Sequence, residues 1–153
     1  RRLFKEKKVL LNFLKILVRA DSENIIYQIV WKEFSKSIRL LLSNKFVYQK
    51  FWDYQNQKVS EVEWLSSFEK ANASVNKALG RLDTVKILAI VFDRLYTLRN
   101  QLIHGGATWN SSVNREQIRD ASNILRLLVP SMISIMINNK PMIIGQPCYP
   151  VIK

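Results

Sequence analysis

The chain is predicted to be all-α: an up-and-down bundle of four to five helices with an irregular C-terminal tail. Three observations carry this. The first Gly is Gly80 and the first Pro is Pro130, so nearly eighty residues run without either breaker. Apolar residues recur at the 3.6-residue period of a helix. No Asn-Gly or Asp-Gly hairpin signal occurs anywhere. With 153 residues and 48% hydrophobic content, the chain reads as one globular domain, 1–153, with a core of its own.

The first helix is expected to run to about Val18, with Leu3, Leu10, Phe13, Leu14 and Leu17 on one face. Asp21 or Ser22 caps a second, which carries Ile25, Ile29, Phe34, Ile38, Leu41 and Leu42 and frays near Ser43-Asn44. Residues 45–58 are ambiguous, being aromatic, basic and rich in Gln and Asn. Ser60-Glu61-Val62-Glu63 is a capping box opening a third helix that stops at Gly80, a suitable left-handed end. Asp83 or Thr84 caps the fourth, which runs to about His104, where Gly105-Gly106 ends it. Asn114, with Gln117 three residues on, caps the fifth. Pro130 kinks or restarts that helix before it ends near Asn138. From Lys140 the chain holds Pro141, Gly145, Pro147 and Pro150, and this tail (140–153) is expected to lie against the bundle.

The net charge is +12 and the pI near 10.0. The surplus is uneven: 13 basic against 5 acidic residues over 1–58, and 11 against 7 over the rest. Such a balance favours polyanions, nucleic acid before anionic membrane; a soluble surface with extra lysines is the plain alternative. One Cys and one His exclude a disulfide framework and, within a single chain, a Cys-rich or His-cluster metal site. Low Cys usage points to a reducing, cytoplasmic setting. The longest apolar stretch, Leu127 to Ile137, is interrupted by Pro130, Ser131 and Ser134 and falls short of the ~20 residues of a spanning helix, so no membrane is expected. No Gly-rich phosphate loop and no HExxH is present, and no cofactor or metal is expected.

The informative stretch is Arg94-Leu95-Tyr96-Thr97-Leu98-Arg99-Asn100-Gln101-Leu102-Ile103-His104-Gly105-Gly106. On a wheel of ~100° per residue, Leu88, Val91, Phe92, Leu95, Leu98, Leu102 and Ile103 fill one broad apolar arc, with Arg99 inside it as its one charged member. A guanidinium there must find a carboxylate, carbonyls, a phosphate or a partner subunit. Lys86, Asp93, Thr97, Asn100 and His104 lie opposite. His104 sits ~140° from Arg99, so one straight helix does not aim both at one point. Either the helix unwinds at Gly105-Gly106 or a second copy completes the site.

Arg99-Asn100-Gln101-Leu102-Ile103-His104 resembles the R-x4–6-H signature of the HEPN superfamily, with the polar residue after Arg common in that family. The wider stretch from Phe92 to Arg115 and the ending Gly145-Gln146-Pro147-Cys148-Tyr149-Pro150 look like bacterial HEPN domains of the Apea-like and related kinds. The likeness is sharpest over residues 83–153. It implies a four- or five-helix bundle that forms a homodimer with the motifs facing across the two-fold. It also implies metal-independent endoribonuclease activity, in some members as a toxin with a cognate antitoxin or in phage defence. Other members have lost catalysis and only bind RNA or protein, which is the alternative for this chain.

On the ribonuclease reading, Arg99, His104 and Asn100 are the catalytic candidates. A base removes the 2′-OH proton, a cation stabilises charge at phosphorus, and an acid protonates the leaving 5′-oxygen. His104 suits base or acid near neutral pH, and a helix C-terminus favours its protonated form. The Arg99 fork matches two phosphate oxygens, and Asn100 orients the phosphate or the His. A dimer supplies two histidines, enough for both proton transfers. Products are a 2′,3′-cyclic phosphate and a 5′-OH. Candidate RNA contacts around the motif are Trp109, Arg94, Arg115, Gly105 and Gly106: Trp109 for base stacking, the glycines for close backbone approach.

Plainer readings stand beside these. His104 before Gly-Gly serves equally as a dipole partner, and Arg99 as a structural Arg bonded to carbonyls or to Asp120 or Glu116. The run from Phe46 to Tyr54, with Lys45 and Lys50, is either a stacking platform for unpaired bases or an aromatic clasp that closes the bundle. The N-terminal helix offers its basic face to RNA, to a membrane or to an acidic partner, or turns its apolar face to core or dimer interface. Cys148 lacks an accompanying His and is not a nucleophile candidate.

Overall fold

The computed structural model describes residues 2–104 and 112–139, and among these every regular element is helical. In chain order they are α1 (Arg2–Ala20), α2 (Ile25–Gln28), a π turn (Ile29–Glu33), α3 (Ser35–Ser43), a 3₁₀ turn (Lys45–Val47), α4 (Gln49–Gln55), α5 (Glu61–Gly80), α6 (Thr84–Ile103) and α7 (Ser112–Asn138). The all-α class is as expected; the helices are more numerous and more broken. The helix α6 lies at the centre, packed against α1, α3, α5 and the 3₁₀ turn. Leu14 and Leu17, Ile26 and Val30, Ile38 and Leu42, Ile87, Leu88 and Val91, and Ile124 and Leu128 close the core around it.

Local chemistry explains most boundaries. The Asp21 carboxylate accepts from the backbone N–H groups of Ile25 (2.9 Å) and Ile26 (2.7 Å), so it caps α2 from upstream. The Ser60 hydroxyl accepts from Glu63 N–H at 3.2 Å, and the Asp83 carboxylate from Lys86 N–H at 2.9 Å. Those two are the caps expected for α5 and α6.

The expected second helix is interrupted. Phe34 N–H reaches back five residues to the Ile29 carbonyl (3.0 Å), and α3 begins one residue later. Core residues explain this π turn. Ile26, Ile29 and Val30 follow helical spacing, but Ile38 comes twelve residues after Ile26, about 120° off that face in a continuous helix, where eleven would lie within about 20°. One inserted residue restores the inward face.

Gly80 does not end α5 in the left-handed region. The helix runs through it, and Leu82 takes that conformation instead, at φ 52°. Asp83 N–H bonds to the Ala78 carbonyl and Leu82 N–H to the Leu79 carbonyl, the paired bonds of a Schellman end. Gln57, at φ 57°, ends α4 in the same way. A leucine there is strained by its Cβ, and this one is half exposed. Leu82→Asn is therefore expected to raise stability by about 0.5–1 kcal/mol. The check is a higher denaturant midpoint with an unchanged slope; a lower midpoint would mean that Leu82 packs more than it strains.

One expectation about the last helix changes: Asn114 falls inside α7 rather than at its cap. The helix carries Pro130 inside it without restarting and ends at Asn138, as expected. Beside the proline, the Ser131 hydroxyl donates to the Leu127 carbonyl at 2.8 Å. By length and composition, Arg115–Asn138 is apolar enough to cross a membrane, which the interrupted run did not suggest. The same helix buries Ala121, Ile124, Leu128 and Ile135 in the bundle and leaves Val129, Ile133 and Ile137 exposed. Residues 140–153, the expected tail, lie outside the described residues.

Candidate functional site

The second half of α6 carries two different polar faces. Its buried arc contains Ile87, Leu88, Val91, Leu95 and Leu98, but also Arg94, Thr97 and Gln101. These three stand at i, i+3 and i+7, one stripe of a helix. Thr97 returns its hydroxyl to the Asp93 carbonyl (3.1 Å). The Gln101 amide donates to the Phe46 carbonyl, which also accepts from Trp52 Nε1 at 2.7 Å. The guanidinium carbon of Arg94 sits 4.4 Å from the Tyr48 ring centroid. Segment 44–52 thus supplies partners for a polar ridge on α6.

This ridge turns the helix, and it corrects the expected position of Arg99. The buried arc is centred near Leu98 and Ile87 rather than near Leu95 and Phe92, and it extends to Thr97 and Gln101 on the side away from Arg99, which is exposed. The buried arginine is Arg94, with only 1% of its surface accessible. Arg94 is therefore not the surface RNA contact expected of it. Leu102 and Ile103, assigned to the apolar arc, are exposed as well.

The exposed face brings the motif to the surface at one end of the bundle. Arg99 Nη1 donates to Asn100 Oδ1 at 3.2 Å, which links the two motif residues side by side. His104 occupies the C-cap of α6, its N–H bonded to the Asn100 carbonyl at 3.0 Å, and its side chain is exposed. The helix keeps its register to Ile103, so Arg99 and His104 leave it about 140° apart. They do not converge within one chain. Tyr96, Leu102 and Ile103 surround Arg99 as exposed large side chains, 61%, 46% and 57% accessible.

The other candidates divide. Gly105, Gly106 and Trp109 lie outside the described residues. Arg115 is exposed near the start of α7 and engages another group. Among the described residues, Glu116 and Asp120 make no ion pair with Arg99, and the Asp120 carboxylate pairs with Arg119 at 3.6 Å. Among the described residues, no three of His, Cys, Asp and Glu group as metal ligands.

The aromatic run 46–54 is a clasp. Phe51 is buried, with its ring centroid 5.3–5.4 Å from those of Phe46, Trp52 and Trp64 in edge-to-face contacts. Trp64 continues to Tyr54 and Phe68, each at 6.0 Å. Sequence reasoning missed the buried ridge of α6. Its signal is three polar residues at helical spacing; from sequence alone, Thr97 falls on the face opposite the apolar arc, Arg94 reads as an RNA contact and Gln101 has no role.

Comparison with family models, with curated proteins and with solved structures gives no match.

Proposed function

We propose that the chain is a metal-independent endoribonuclease of HEPN type, acting as a homodimer whose two motifs meet at the subunit interface. The observation that carries this reading is the exposure of Arg99 and His104, with half-buried Asn100 beside Arg99, on the last turns of α6, inside an Arg-Asn-x3-His-Gly-Gly sequence. A purely structural arginine would be buried against carbonyls or acids; Arg99 holds only its neighbour Asn100 among the described residues. The exposed Tyr96, Leu102 and Ile103 beside it form an apolar skirt that a second copy would cover. The 140° divergence then becomes useful, because residues that cannot converge in one chain can do so across a two-fold.

In this reading Arg99 clamps the scissile phosphate through its planar fork and offsets the charge that develops on the equatorial oxygens. Asn100, bonded to the Arg99 guanidinium, holds the fork in register. One His104 takes the proton of the 2′-OH as that oxygen attacks phosphorus. The partner's His104 gives a proton to the departing 5′-oxygen. The 2′,3′-cyclic phosphate and the 5′-OH follow. The positive surface supplies attraction for RNA, and an acidic antitoxin is the protein partner that it suits.

The test is cleavage of single-stranded RNA and tRNA in EDTA, with end-group analysis, alongside sedimentation of the chain. Cyclic-phosphate ends produced by a dimer support the proposal. A chain that binds RNA in a salt-dependent way but yields no such ends is the catalytically silent alternative.

A further inference from the structure

Away from the motif, α5 and α6 line a half-open cleft of about 160 Å³ beside Tyr48. Arg94 contributes to its wall, together with Lys86, Asp93 and Ser74. Arg94 is the largest fully buried side chain among the described residues. Its Nε and Nη1 have no hydrogen-bond partner among those residues. A buried cation left without acceptors is costly, and native structures seldom tolerate one. The Tyr48 ring faces the guanidinium carbon, but a ring face offers no lone pair to the in-plane N–H donors. The Tyr48 hydroxyl is committed elsewhere, to Ser67 Oγ at 2.6 Å.

The neighbouring acid does not resolve this. Asp93 Oδ1 pairs with Lys7 Nζ at 2.7 Å, on the exposed side. Burial holds the Arg94 guanidinium below its usual range, opposed only in part by Asp93 and Tyr48, yet an arginine stays charged near neutrality. With Asp93 matched by Lys7, the cleft keeps the charges of Arg94 and Lys86, and Ser74 adds a hydroxyl at the rim. Two cations and a small volume describe the occupant. The space is below the ~300 Å³ at which drug-sized pockets begin, so a base or a whole nucleotide does not fit. A phosphate group does, and its double negative charge matches both cations better than a carboxylate would.

We propose that this cleft is a binding site for a phosphate group, held by Lys86 at the rim and by Arg94 once its closed-off guanidinium turns from the Tyr48 ring toward the cleft, and distinct from the motif. On α6, Arg94 and Arg99 point about 140° apart, so the two arginines serve different surfaces. The proposal does not depend on ribonuclease activity. The phosphate is either free or the terminal group of a longer molecule.

The experiment is calorimetric titration of the full chain with inorganic phosphate at matched ionic strength in chloride, which removes screening effects. Wild type is expected to bind one phosphate per chain, with a saturable rise in melting temperature. Arg94→Met should weaken binding roughly tenfold or more while leaving the helical signal intact. Lys86→Gln should weaken it several-fold, and Ser74→Phe, at an exposed rim position, should block it. Arg99→Ala deletes the phosphate clamp proposed for the motif, and the saturable site of Arg94 and Lys86 is expected to persist on that background. Titration with a 5′-phosphorylated and a 5′-hydroxyl dinucleotide on the Arg99→Ala background assigns the source. Tighter binding of the phosphorylated form identifies a terminal phosphate, and equal weak binding of both identifies free phosphate. No saturable binding by wild type would overturn the proposal. So would unchanged binding in Arg94→Met or, should that variant not fold, in both Lys86→Gln and Ser74→Phe.

Discussion

Replacing His104 or Arg99 by alanine is expected to lower RNA cleavage by roughly 10²–10⁴-fold, the usual contribution of a proton-transfer group or of a donor that stabilises transition-state charge. Both side chains are exposed, and neither carries a core contact. Stability should therefore move by no more than about 0.5 kcal/mol, as at most surface positions. The separation of these two readouts makes the experiment decisive. Initial cleavage rates and thermal melts would be measured on the same preparations. Loss of cleavage with an unchanged melt assigns chemistry to the motif. Equal cleavage by wild type and both variants removes Arg99 and His104 from any catalytic role. Asn100→Ala is expected to fall between, because its side chain bonds to Arg99 rather than to any reacting group.

The largest effect on stability is expected at Trp64. Its indole is buried, 7% exposed, and touches Phe51, Tyr54 and Phe68. Trp64→Ala removes the residue that joins α4 to α5 and leaves a cavity with little to fill it. Truncations of this kind cost about 3–5 kcal/mol. For a chain of this size that is a fall of roughly 10 °C in melting temperature. Trp64→Phe should recover much of the loss by keeping a ring in the cluster, and it also deletes an indole N–H that is buried without a partner among the described residues. Denaturant melts of the two variants measure the difference. A loss below about 1 kcal/mol for Trp64→Ala would mean that the aromatic cluster is not what holds segment 49–68 together.

The motif residues of the candidate site were legible without coordinates, since Arg99, Asn100 and His104 announce themselves by spacing. Their setting was not. A wheel drawn from apolar residues alone put Arg99 inward, because it weighed leucines and ignored what Arg94 and Gln101 would meet. Those partners come from Phe46 and Tyr48, some fifty residues earlier, in the segment whose sequence was ambiguous. The cleft beside Arg94 was invisible for the same reason.

What the sequence determined by itself was local. The absence of Gly before Gly80 and of Pro before Pro130, with the 3.6-residue period, set an all-α chain. The caps at Ser60 and Asp83 set where α5 and α6 begin, because a capping hydrogen bond is decided within about four residues. Only the tertiary structure decided which face of α6 turns inward, where the second helix breaks, and that Leu82 rather than Gly80 takes the left-handed turn. Each is a contest between a local preference and the packing of distant side chains. Burial of the Ile26–Ile38 stripe and docking of segment 44–52 outweigh the ~1 kcal/mol that a strained residue or a shifted helical register costs.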